Sequence, residues 1–198
     1  MSYGNISAEQ ALQLLQEGNK RFSSNELQSK NVSSQRRQEL LTKGQKPFAV
    51  ILSCSDSRVP PEVIFDQALG DIFVIRVAGN VVSTIELGSI EYGTEHLQVP
   101  LLVILGHDNC GAVKATVDGG EAPGSIGAIV DMIRPSVDKA RAAGASGDDL
   151  YEQACNHNLQ AMLTIVEQSP IIKEMVEHGH LKIVLAKYLQ SSGEVVFF

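Results

Sequence analysis

The sequence predicts an α/β fold: a mostly parallel central sheet flanked by helices, with an N-terminal helical arm that packs on a partner subunit. Three observations carry this. Short, continuous apolar runs such as Phe48-Ala49-Val50-Ile51-Leu52 and Leu101-Leu102-Val103-Ile104-Leu105-Gly106 have the character of strands buried on both faces. They alternate with helical stretches long enough to cross over between parallel strands. Polar and sulfur-bearing residues follow each run at once, and an open sheet gathers its ligands beyond the carboxyl ends of its strands.

The elements follow in order. Ser7-Ala8-Glu9-Gln10 is a capping-box pattern before a helix bearing Leu12, Leu15 and Phe22. A polar stretch over 23–34 leads to a second helix that stops at Gly44, a usual helix terminator. This arm, residues 1–45, has too few apolar positions for a core of its own, so it is expected to lie across a partner subunit. A strand over 48–53 precedes Pro60-Pro61-Glu62, a good helix start. A second strand is expected over 72–77. Ser83-Thr84-Ile85-Glu86 caps a helix running through Leu97, and the third strand is 101–105. Long helices over about 125–142 and 148–168 precede a fourth strand, Leu181 to Ala186, and Val195-Val196-Phe197-Phe198 is an edge-strand candidate. The loops at 119–124 and 142–149 are too short for interdomain linkers. The chain is therefore expected to be one domain, an arm over 1–45 and an α/β core over 46–198.

Composition narrows the function classes. With 198 residues, 43% of them hydrophobic, the chain can bury a full core. The net charge of −7 disfavours nucleic acid and anionic membrane as partners. No run approaches the roughly 20 apolar residues of a membrane span. The opening Met1-Ser2-Tyr3-Gly4-Asn5 lacks a basic segment followed by an apolar one, so no signal peptide is expected and a cytoplasmic setting fits. Three cysteines without a secretion signal point away from a disulfide framework.

Two of those cysteines sit where chemistry is expected. Cys54 and Cys110 each follow a buried strand and stand beside polar residues, and His107 lies three positions before Cys110. Neighbouring strands would bring Cys54, Asp56, His107 and Cys110 together. Two thiolates and an imidazole suit zinc and leave a fourth position for water or a carboxylate. Asp56 has two possible partners: the metal, or Arg58 two residues on. Cys155 lies mid-helix and reads as packing. His96, His157, His178 and His180 have no ligand partners in the sequence. Arg76 suits an anion or a carboxylate equally well. Gly70-Asp71 and Ala78-Gly79-Asn80 lack the Gly-x-Gly-x-x-Gly fingerprint of a phosphate loop.

Cys54-Ser55-Asp56-Ser57-Arg58, followed later by Gly106-His107-x-x-Cys110-Gly111, resembles the β-class carbonic anhydrases. So do the stretch from Gly70 to Asn80, Ser89-Ile90-Glu91-Tyr92 and Leu181-Lys182-Ile183-Val184. The resemblance implies reversible hydration of carbon dioxide to bicarbonate and a proton, by hydroxide on a zinc ion held by Cys54, His107 and Cys110. It implies Asp56 and Arg58 as a catalytic dyad in which the arginine orients the carboxylate toward the hydroxide. It also implies Gln45, Phe73, Ala78, Tyr92 and Gly111 as substrate-contacting residues, and a homodimer or larger homo-oligomer with its sites at the subunit interface. Two departures stand out. Ile51 replaces the tryptophan of a regulatory bicarbonate site found in some members, and Leu185 stands where the family more often has glycine. Two alternatives share the ligand set: a carbonyl sulfide or carbon disulfide hydrolase, and a non-catalytic protein with a closed Cys-Asp-His-Cys zinc site.

Overall fold

Four of the apolar runs become a parallel sheet. A computed structural model describes residues 6–198; Met1–Asn5, on which the signal-peptide expectation rests, lie outside the described residues. The strands are β1 (Ala49–Cys54), β2 (Ile72–Val77), β3 (Leu101–His107), β4 (Lys182–Tyr188) and β5 (Val195–Phe197). Their spatial order is β2-β1-β3-β4-β5; the first four run parallel and β5 pairs antiparallel with β4 at the edge. Every residue of β1 and β3 is buried, which is why both read as unbroken apolar runs. The chain steps from β1 outward to β2 and returns to the other side of β1 as β3. The crevice of the sheet therefore opens between the carboxyl ends of β1 and β3.

Helices cover both faces. The elements α4 (Thr84–Glu91), α5 (Gly111–Asp118), α6 (Ile126–Ala142), α7 (Gly147–Glu167) and α8 (Pro170–Glu177) pack on the side to which Val50, Leu52 and Cys54 point. On the other side α1 (Ala8–Ser23) and the short α3 (Pro61–Ile64) lie over Ala49 and Ile51. Leu185, one of the two departures from the resemblance, is buried in the first of these two cores.

Three expectations are revised. The first helix of the arm covers its own sheet: Ala11 and Leu15 are fully buried there, and Asn19 Nδ2 donates to Gly193 O at 2.9 Å. The arm's second helix, α2 (Ser34–Lys43), has no buried residue, and Leu41 is 78% exposed. The helix after Ser83 does not run on evenly to Leu97; it widens to a π-turn over Tyr92–His96. A Cβ on Gly93 would stand 2.7 Å from Val50 Cγ2, so this turn sits directly on the strands. Finally, a separate helix, α8, fills the stretch before β4; Ser169 caps it and Pro170 opens it.

Candidate metal centre

β1 ends at Cys54 because Ser55-Asp56-Ser57 no longer suits a buried strand, and β3 delivers His107 as its last residue. Asn109, at φ 49°, then turns the chain so that Cys110 caps α5. The result is three buried donors: the Cys54 and Cys110 sulfurs lie 4.0 Å apart, and they and a His107 ring nitrogen fall within 4.8 Å of one another. Tetrahedral zinc with Zn–S bonds near 2.3 Å separates two sulfurs by about 3.8 Å. His107 Nδ1 lies 2.7 Å from Asp108 O and 3.0 Å from Gln190 Nε2; the carbonyl can only accept, and with its proton on Nδ1 the ring donates to it. That leaves Nε2 with a free lone pair, and this buried atom has no hydrogen-bond partner. The donor set thus fits zinc in number, chemistry and spacing.

Electrostatics prepare the thiols. A hydrogen bond from Cys110, then those from the N–H groups of Asp56 and Gly79, pull the Cys54 thiol well below its ordinary value. Cys110 is pushed up, because it gives that shared hydrogen bond to Cys54 and because it is buried. A divalent cation in place of the shared proton would hold both as thiolates.

Asp56 faces Arg58, not the thiols. Arg58 Nε donates to Oδ1 at 2.9 Å and Nη2 to Oδ2 at 2.7 Å, while the Arg58 N–H closes an Asx turn onto Oδ1 at 3.0 Å. These hydrogen bonds lower the Asp56 carboxyl from 3.8 to about 2. Val59, fully buried, anchors the loop beneath them. Arg76 turns to the backbone: its Nε donates to Cys54 O at 3.0 Å and its Nη2 to Asp56 O at 2.6 Å, fixing the segment that carries both residues.

The other site candidates divide. Ala78 opens the 3-10 turn whose next residue, Gly79, donates its N–H to Cys54 Sγ at 3.3 Å, and Gly111 is the first residue of α5. Gln45, Phe73 and Tyr92 do not join them in this chain. Gln45 precedes β1 on an exposed loop, at the strand end opposite Cys54. Phe73 pairs with Val50, four residues before the Cys54–Val77 pair, or about 13 Å along the strand. Tyr92 goes with Phe73, the ring centroids 6.0 Å apart.

Two further residues adjoin the donors: Gln190, missing from the sequence reading, and Cys155, which read there as packing. Gln190 Nε2 donates to Asp108 O at 2.7 Å, and its backbone N–H donates to Asp108 Oδ1 at 3.0 Å, so it holds the loop that orients His107. Cys155 lines the same small cavity as Cys110. Neither lies near its partner in sequence, so only the tertiary fold reveals them.

The family model described as carbonic anhydrase matches residues 49–195. The chain belongs to the β-carbonic anhydrase family. It is 44% identical to carbonic anhydrase 2 of Mycobacterium tuberculosis over 190 residues, covering 94% of this chain and 90% of that one. Its fold matches the β-carbonic anhydrase CcaA with a TM-score of 0.75 and 28% identity, over 94% of both chains. It also matches a Coccomyxa β-carbonic anhydrase, solved with acetazolamide, at a TM-score of 0.70 and 29% identity, over 82% of this chain and 78% of that one. The reaction of a carbonic anhydrase is the hydration of carbon dioxide. Among the described residues no helix is long and apolar enough to cross a membrane.

Proposed function

We propose that this chain hydrates carbon dioxide reversibly with zinc held by Cys54, His107 and Cys110. The observation that carries the reading is the buried His107 Nε2, unpartnered and facing two thiols 4.0 Å apart. Bound zinc would supply a nucleophile at neutral pH by lowering the pKa of a water from about 15.7 to near 7.

The protein's own groups do the rest. Arg58 holds the Asp56 carboxylate away from the thiols and keeps it ionised. Asp56 then accepts a hydrogen bond from the attacking water and fixes its orientation. The same pairing favours an open site over the closed Cys-Asp-His-Cys alternative, since a carboxylate gripped by both fork nitrogens is not free to ligate. Gly111 and Ala78 flank the metal ligands and form part of the substrate's wall. Gln45, Phe73 and Tyr92 contact substrate in a neighbouring subunit's site, which makes the active unit a homodimer or larger. Their distance from Cys54 within one chain, together with the exposure of Gln45 and Tyr92, supports this arrangement.

Metal analysis with stopped-flow hydration on one preparation tests the proposal. One zinc per chain and fast hydration are expected. Metal-free protein with full activity would refute it, and full zinc with no hydration would favour the structural-site reading.

A further inference from the structure

We propose that Asn158 is a positioning residue for Cys54, acting through Gly79; this rests on the reading of Cys54 as a metal ligand. Gly79 stands between them. Its N–H donates to Cys54 Sγ at 3.3 Å, and its carbonyl accepts from Asn158 Nδ2 at 2.9 Å. Gly79 adopts φ 71° and ψ 13°, a left-handed conformation, and a Cβ there would stand 2.7 Å from Ile133 Cδ1. Glycine is therefore required. A glycine is also the residue least able to hold its own backbone in one orientation. An external clamp on its carbonyl supplies what it lacks.

Asn158 is poorly explained as packing. It is 2% exposed on the buried face of α7, which otherwise presents Ala154, Cys155, Leu159, Met162 and Val166. Its Oδ1 has no hydrogen-bond partner, so the bond to Gly79 is the polar interaction that offsets the burial of this amide. A leucine would fit that stripe and remove the unsatisfied Oδ1, at the cost of the donor to the buried Gly79 carbonyl. What the amide does that leucine cannot is hold the Gly79 backbone with its N–H toward the sulfur. Hydrogen bonds to a ligand atom draw electron density from it and fix its direction, and losing such a partner typically weakens metal affinity about 10- to 100-fold.

The test is cobalt-substituted protein, unaltered and Asn158→Leu. The variant should bind cobalt about 10- to 100-fold more weakly. Its thiolate-to-cobalt charge-transfer band should move to lower energy, because a sulfur relieved of an N–H donor gives up an electron more readily. A scalar coupling between NMR-active cadmium and the Gly79 amide proton is expected in the unaltered protein and should be lost in the variant. Asn158→Ala, which adds no bulk, carries the same readings should Asn158→Leu not fold. Unchanged band, coupling and affinity would overturn the proposal, and so would weaker affinity with an unmoved band, the mark of a merely structural role. Absence of a thiolate–cobalt band from the unaltered protein would instead overturn the metal reading beneath it.

Discussion

Two kinds of residue surround the candidate metal, and substitution separates them. Cys54→Ala or Cys110→Ala removes one of three donors, so metal and activity should disappear together; full zinc occupancy in either variant would exclude it as a ligand. Asp56→Asn should keep the metal and lose rate. The amide cannot hold Arg58 by charge, and losing a charge-assisted hydrogen bond costs about 1.5–3 kcal/mol, or roughly ten- to a hundred-fold in hydration. Near-normal turnover in zinc-replete Asp56→Asn would remove Asp56 from the mechanism. The dyad also has a pH signature. The Asp56 carboxyl is lowered from 3.8 to about 2, so its contribution to stability is complete above the ordinary value and lost as pH falls through the lower one. Carbon-13 NMR of the carboxyl should find Asp56 still ionised at pH 3.8, where an ordinary aspartate is half protonated. The ligands and the dyad were legible in the sequence because each follows an apolar strand at short spacing. Gln190 and Asn158 were not, since each reaches the site from tens of residues away and neither belongs to a motif.

Among the elements, the strands were the most legible, because burial on both faces leaves an unmistakable apolar run. Ends and irregularities were less so. β3 reaches His107 and β4 reaches Tyr188, each two residues beyond its expected end, since pairing with a neighbour extends a strand past its apolar stretch. The π-turn at Tyr92–His96 has no local signal; it follows from seating Gly93 against Val50 and Phe73. The docking of α1 makes a testable case of the same kind. Gly18→Ala in an ordinary helix interior should stabilise by up to about 1 kcal/mol. Here the added Cβ would lie 1.9 Å from Phe65 O, and overpacking costs typically 1–3 kcal/mol. The clash outweighs the propensity, so the melting temperature should fall by roughly 2–10 °C. A rise would show that α1 does not pack on the α3 segment as described.

At the scale of the whole molecule the question is whether one chain suffices for catalysis. The metal ligands lie at the carboxyl ends of β1 and β3, whereas Gln45 precedes β1 and Phe73 and Tyr92 sit beside its first half. The proposed function needs a partner subunit to unite the two sets. Deleting the arm tests this badly, because it also strips Ala11 and Leu15 from the chain's own core. A single substitution on α2 is cleaner. Arg36 Nη2 holds α2 to Leu69 O at 2.9 Å, and Leu40 packs against Gly70, so the neighbouring Leu41 is left 78% exposed. Leu41→Glu should therefore change the stability of the isolated chain by no more than about 0.5 kcal/mol. Burying the new charge in a subunit interface would cost several kcal/mol, which should dissociate the oligomer. The dissociated chain keeps Cys54, His107 and Cys110 and should keep its zinc. Without a partner's Gln45, Phe73 and Tyr92, its hydration rate should fall about ten-fold or more. Light scattering, metal analysis and stopped-flow on one sample read all three. A zinc-loaded monomer with undiminished activity would show that a single chain suffices. An intact, fully active oligomer would place Leu41 outside the interface.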